Sequence, residues 1–223
     1  MDCPLDRRAW RALFFVPWLA GAALAEAVPV RIVLFGDSYI SSYGVDFDRK
    51  FKVQLEAALN AGGPLVHVID TGYTATTYSG LVRLPSLFAA DSILGGTEPK
   101  AVILELGSND CESSRKLEES HANLDAILKA LADRHIPVLV AGTKAYDSCD
   151  RIIGPNYNAR YTQMFAELAD KYGDLYYRDF KDGVGDHPEL MQGDRDHPTA
   201  DGDAVIVARI LPVVSALVAR AQP

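Results

Sequence analysis

Short, continuous apolar runs alternate along the chain with segments in which apolar residues return every three or four positions. Val30–Phe35 (VRIVLF), Leu65–Asp70 (LVHVID), Ala101–Leu106 (AVILEL), Pro137–Ala141 (PVLVA) and the shorter Leu175–Tyr177 are the runs. Their length and β-branched content predict strands buried on both faces. Between them the period is helical. Phe47, Phe51, Leu55 and Leu59 predict a helix stopped by Gly62-Gly63-Pro64. Leu81, Leu84 and Leu87 predict a second helix, with Thr76 or Thr77 as its N-cap. Leu117, Leu124, Leu128 and Leu131 mark a third, and Tyr157, Tyr161, Phe165 and Leu168 a fourth. An apolar helix from about Ala200 to Ala219, interrupted by Pro212, closes the chain. Parallel neighbours need crossover connections, so five β-then-α repeats predict an α/β fold: one doubly wound, five-stranded parallel sheet with helices on both faces. Ligands of such sheets sit outside the carboxyl ends of the strands.

Residues 1–25 carry a different pattern. Arg7, Arg8 and Arg11 precede an apolar stretch, Ala12–Ala25, that ends in Ala23-Leu24-Ala25 before Glu26. A basic start, a short apolar run and a small-x-small site read as a signal peptide cleaved near Ala25, and the run is too short to span a bilayer comfortably. No cysteine follows it to carry a lipid, so no stable membrane anchor is expected. Residues 26–223 are then one domain, exported as a soluble monomer to a periplasm or the medium. A net charge of −8 without a Lys/Arg-rich run excludes an electrostatic footprint for nucleic acid. A small neutral or amphipathic molecule is the expected partner.

Reactive groups collect just after the strands. The first strand runs into Gly36-Asp37-Ser38, the third into Gly107-Ser108-Asn109-Asp110, and Asp194-Arg195-Asp196-His197-Pro198 precedes the last helix. A nucleophile, a donor amide and an Asp-x-x-His pair are the parts of an acyl-transfer site. The stretch LFGDSY resembles the first block of the GDSL (SGNH) hydrolases, DTGYTATTYSGLVRLP their second, ELGSND their GxND block and DRDHPTADGD their DxxH block; GPNYNARY resembles a further family stretch. The blocks follow in order over nearly all of residues 26–223, and the likeness is nearest the bacterial exported arylesterase, thioesterase and lysophospholipase branch.

The resemblance implies a carboxylic ester hydrolase with Ser38 as nucleophile, His197 as general base and then acid, and Asp194 orienting the imidazole. Its oxyanion hole would use the Ser38 N–H, a backbone N–H of the second block and the Asn109 amide, with no metal or cofactor. Where the family has a glycine in the second block, this chain offers Ala75 counted from Gly72, or Thr74 counted back from LVRLP. Ala75 is taken as the donor. The loop Cys111-Glu112-Ser113-Ser114-Arg115-Lys116 is polar where the branch has glycine and leucine, which points away from long acyl chains and leaves a carbohydrate O-acetyl esterase as the alternative. The non-enzyme alternative is a flavodoxin-like binding module.

Other reactive side chains have plainer readings. His187 follows Asp186 but has Val184 three residues before it, and reads as a loop residue. His67 falls in a strand, His121 on a helix and His135 before a strand. Asp196 adjoins His197, and neighbours in an extended segment point apart. Asp37 is expected to hold the turn at the end of the first strand. No GxSxG, GxGxxG or P-loop spacing occurs. Cys111 and Cys149 each follow one of two neighbouring strands. Strands roughly 4.8 Å apart leave the pair within reach of a disulfide, which spans roughly 5.5–6 Å between Cα atoms, and an oxidising compartment would preserve it.

Overall fold

The computed structural model describes residues 28–73, 76–146 and 148–222. The expected signal peptide, and both Thr74 and Ala75, lie outside the described residues. Five strands, β1 (Val30–Gly36), β2 (Val66–Tyr73), β3 (Ala101–Glu105), β4 (Val138–Ala141) and β5 (Leu175–Tyr177), form one sheet in the order β2-β1-β3-β4-β5. Every neighbouring pair is parallel. β1 and β3 are central, so the two loops richest in chemistry leave the sheet side by side.

Period two sorts the strand residues onto two buried faces. Val33, Phe35, Val102, Leu104, Val138 and Val140 meet α3 (Leu117–Ala132) and α5 (Tyr157–Tyr172) through Leu124, Leu128, Tyr161 and Phe165. Ile32, Leu34, Ile103 and Leu139 meet α1 (Phe51–Asn60) and α6 (Ala200–Arg220) through Phe51, Leu55, Ile206 and Ile210. Each such side chain contributes about 1.5–3 kcal/mol by leaving water, and truncating Ile206 or Leu128 to Ala would cost ~2–5 kcal/mol. By length and composition α6 could cross a membrane, but its apolar stripe is spent on this second face.

Several boundaries differ from the pattern. Phe47 belongs to a separate 3-10 turn and is exposed; α1 begins at Phe51, whose N–H donates to Ser42 Oγ at 2.8 Å and Asp203 Oδ2 at 3.2 Å. Leu65 is exposed and outside β2, which instead continues to Tyr73. The Leu81–Leu87 segment splits into α2 (Thr77–Arg83) and a 3-10 turn, Leu84–Leu87, that contains Pro85. Thr76 caps α2, accepting from the Ser79 N–H while the Ser79 hydroxyl accepts from the Thr76 N–H. Pro212 does not interrupt α6. Pro212 and Ala208, whose carbonyl loses its i+4 donor, both face solvent, so water replaces the missing bond while the buried stripe stays intact.

Candidate active site

The turn that carries Ser38 starts where β1 lies tight against β3. A Cβ on Gly36 would stand 2.0 Å from the Glu105 carbonyl oxygen, so only glycine allows the chain to turn there. The Asp37 N–H then donates to that carbonyl at 3.1 Å. The buried Asp37 carboxylate accepts the Tyr39 N–H at 3.0 Å and the Ser108 hydroxyl at 2.6 Å. It thereby holds the turn after β1, as expected, and ties it to the loop after β3. Burial pushes the Asp37 carboxyl upward. Glu105, buried beside it, is pushed up by its own burial and by the charge of Asp37.

Ser38 emerges half-buried from this turn. Its Oγ lies 2.9 Å from His197 Nε2, and His197 Nδ1 lies 2.8 Å from Asp194 Oδ2. Asp194 Oδ1 also accepts the N–H groups of Asp196 at 3.0 Å and His197 at 3.1 Å, closing the loop on itself. Those backbone donors, with the imidazole, hold the Asp194 carboxyl down to about 2. Arg195 takes a positive φ of 59° inside this loop. Thr199 then caps α6 by accepting the Gly202 N–H at 3.1 Å, so His197 stands just before a capped helix start.

Asn109 is half-buried in the loop after β3, and its Nδ2 donates to Ser108 Oγ at 3.1 Å. Gly107 is held at φ 127°, where a Cβ would stand 2.2 Å from the Tyr161 hydroxyl. The next residue but two, Asp110, is fully buried and accepts the Thr77 N–H at 2.9 Å, the Thr77 hydroxyl at 2.6 Å and the Ser120 hydroxyl at 2.5 Å. Asp110 therefore locks the start of α2, within the second block, to the Asn109 loop. Sequence reasoning missed this role, because a buried cluster of hydroxyls leaves no periodic signal. Cys111 and Cys149 are joined in a disulfide with Cα atoms 5.8 Å apart, both buried, linking the Asn109 loop to α4 (Cys149–Ile152).

The remaining histidines are remote in role. His67 lies in β2 against Glu56, His121 lies on α3, His135 precedes β4 at a positive φ, and the exposed His187 pairs with Glu189. Asp196 differs from its expected place. Its carboxylate does not point away from His197 but lies 4.0 Å from Nδ1. The short Asp194–His197 loop curls, so the extended-strand rule does not apply. Asp196 accepts hydrogen bonds from the Tyr39 hydroxyl and, at 2.7 Å, from the Tyr146 hydroxyl, and Lys181 Nζ stands 3.3 Å away. Burial pushes the Asp196 carboxyl up, but the two hydroxyls and Lys181 outweigh it and hold the group below the usual range.

Residues 34–205 match the GDSL-like Lipase/Acylhydrolase family. The chain belongs to this family. Over 216 residues it is 26% identical to esterase TesA of Pseudomonas aeruginosa, covering 93% of this chain and 99% of that protein. It is 28% identical over 193 residues to an arylesterase of Vibrio mimicus, covering 84% and 89%. The crystal structure of AlinE4, an SGNH-hydrolase family esterase, superposes with a TM-score of 0.68 at 32% identity, covering 89% of this chain and all of that one. This GDSL-family chain is thus a serine ester hydrolase of the SGNH type, and neither the O-acetyl esterase nor the binding-module reading is favoured.

Proposed function

We propose that the chain hydrolyses carboxylic esters through an acyl-enzyme on Ser38, with aryl and short-acyl esters as the preferred class and thioesters or lysophospholipids within reach. The reading rests on the continuous Ser38–His197–Asp194 chain of 2.9 and 2.8 Å contacts. Ser38 Oγ forms a bond to the ester carbonyl carbon while its proton passes to His197 Nε2. The oxyanion is met by the Ser38 N–H, the Ala75 N–H and the Asn109 amide. Collapse breaks the bond to the leaving oxygen, which takes the proton from Nε2. Water, deprotonated by the same nitrogen, then attacks the acyl carbon; the bond to Ser38 Oγ breaks as Oγ takes that proton back from Nε2, and the acid leaves. Asp194 keeps Nδ1 protonated and stabilises the imidazolium.

The substrate class follows from the surroundings. Tyr43, exposed, sets its ring 5.1 Å from the His197 ring, offering a flat apolar face for an aryl group. Glu112, Ser113, Ser114 and Lys116 are exposed and polar, which favours short acyl chains over long ones. The signal-like residues 1–25 and the disulfide both support export, and the acidic surface supports a soluble enzyme with a small-molecule substrate.

A fluorophosphonate probe tests the nucleophile together with a panel of p-nitrophenyl esters of increasing chain length. Wild type is expected to label at Ser38 and to turn over acetate and butyrate best. Ser38→Ala is expected to lose labelling and turnover while keeping the wild-type circular dichroism spectrum. Substantial ester turnover by Ser38→Ala would overturn the assignment.

A further inference from the structure

Immediately after the nucleophile comes Tyr39, and immediately before the base comes Asp196; the two side chains bond to each other beneath the imidazole. Four elements converge there. Tyr39 comes from the turn after β1, Tyr146 from the loop after β4, Lys181 from the segment after β5, and Asp196 from the base loop. The two tyrosine hydroxyls stand 3.3 Å apart and both donate to the Asp196 carboxylate. Lys181 Nζ reaches the Asp196 carboxylate at 3.3 Å and its carbonyl at 3.2 Å, and sits 3.8 Å from the centroid of the Tyr39 ring. That ring packs edge-on against His197, with centroids 5.5 Å apart.

We propose that Asp196 is a positioning residue for His197, clamped by Tyr39, Tyr146 and Lys181, and that its carboxylate is a second negative charge on the imidazole that partly substitutes for Asp194. The proposal rests on the reading of His197 as general base. Geometry supports both halves. At 4.0 Å from Nδ1 the carboxylate is too far to hydrogen-bond the ring but well within the range in which an opposite charge favours the imidazolium. Its side chain is 27% exposed, against 44% for Asp194, so water screens it less. Three donors from three other elements hold it in place, so its position does not depend on the loop alone.

The charged and titratable groups around the pair are few. Asp194, Asp196, Tyr39 and Tyr43 face His197. Tyr39, Tyr146, Lys181 and His197 face Asp196, with Glu112 acting on Tyr146 and Glu105 on Lys181 from further out. Asp196 stabilises the protonated base and Lys181 opposes it by neutralising Asp196. Removing one or the other must therefore move the base in opposite directions.

The test is the acidic limb of kcat/KM against pH for a p-nitrophenyl ester. Asp196→Asn is expected to move that limb down by about 1 pH unit, the low end for an opposite charge at this distance because Lys181 already compensates part of it. Lys181→Met is expected to move it up. In an Asp194→Ala background, Asp196→Asn is expected to lower kcat roughly tenfold more than it does alone, as coupled neighbours do. A role limited to packing would lower activity in both single variants without opposite shifts, and that result, or additive losses in the double variant, overturns the proposal. Should Asp196→Asn fail to fold, Lys181→Met decides alone: an unmoved limb refutes it. His197→Ala separates the two levels. If it keeps its activity, the triad reading falls; if it is inactive while the limbs stay fixed, only this proposal falls.

Discussion

Asp203 offers a test of how burial couples the α6 start to the turn that carries Ser38. It sits in the first turn of α6, fully buried, and accepts the Phe51 N–H at 3.2 Å. Ser42, buried at the end of the turn that carries Ser38, accepts the same N–H and lies against the Asp203 carboxylate. Its other oxygen, Oδ1, is buried without a hydrogen-bond partner. Burial outweighs these bonds and pushes the carboxyl from its ordinary 3.8 up to about 7. An acid whose folded value is raised binds its proton more tightly when folded. Its contribution is therefore fully present below pH 4 and is lost as pH rises towards 7. At ~1.4 kcal/mol per tenfold change the whole loss is about 4 kcal/mol, of which about 3 kcal/mol falls between pH 5 and pH 8. Asp203→Asn resembles the protonated acid and carries no charge to desolvate. Urea unfolding with the disulfide intact, at pH 5 and pH 8, gives the comparison. Wild type is expected to lose about 3 kcal/mol more than the variant over that interval. Asp174, raised by burial to about 6, and the Asp37–Glu105 pair contribute to both proteins and cancel in the difference. Equal pH dependence in the two proteins would refute the reasoning.

Asn109→Ala is expected to lower kcat by about 10²–10³-fold, the effect of losing one preorganised oxyanion donor; a change confined to KM would make Asn109 a substrate-binding group instead. Replacing Cys111 and Cys149 by serine opens a loop with a sequence separation of 38 residues and is expected to destabilise by about 4 kcal/mol on the chain-entropy account, read as a lower urea midpoint. Alkylation of unreduced, exported protein is expected to leave both cysteines unmodified in the mass spectrum, and full modification of both would exclude the bridge. Gly36→Ala is expected to yield little soluble protein, because its Cβ would overlap the Glu105 carbonyl; near-wild-type expression and melting would contradict the close β1–β3 approach.

The α/β class, the five strands and the positions of Ser38, Asn109, Asp194 and His197 at strand ends or before the last helix were legible in the sequence. Those features depend on local physics: apolar runs mark strands buried on both faces, and reactive side chains next to glycine mark turns. Helix boundaries were less legible. Phe47 kept the period of α1 yet fell outside it, since a period reports spacing and not the turn that precedes Phe51. Pro212 suggested a break that the solvent-facing position of Ala208 makes unnecessary. The clamp of Tyr39, Tyr146, Lys181 and Asp196, the Asp110 hub and the Asp37–Glu105 pair were invisible. Their members are separated by up to 157 residues, as Tyr39 and Asp196 are, and no local pattern records which buried polar groups will share a proton or a hydroxyl. Strand order decides that, by bringing the ends of β1, β3, β4 and β5 to one edge of the sheet. Once there, each buried carboxylate must find donors or keep its proton, because unpaired charge is too costly in the interior. Local hydrophobic pattern thus determined the scaffold and where the reactive groups stand along it, whereas only the packed sheet decided which of them meet.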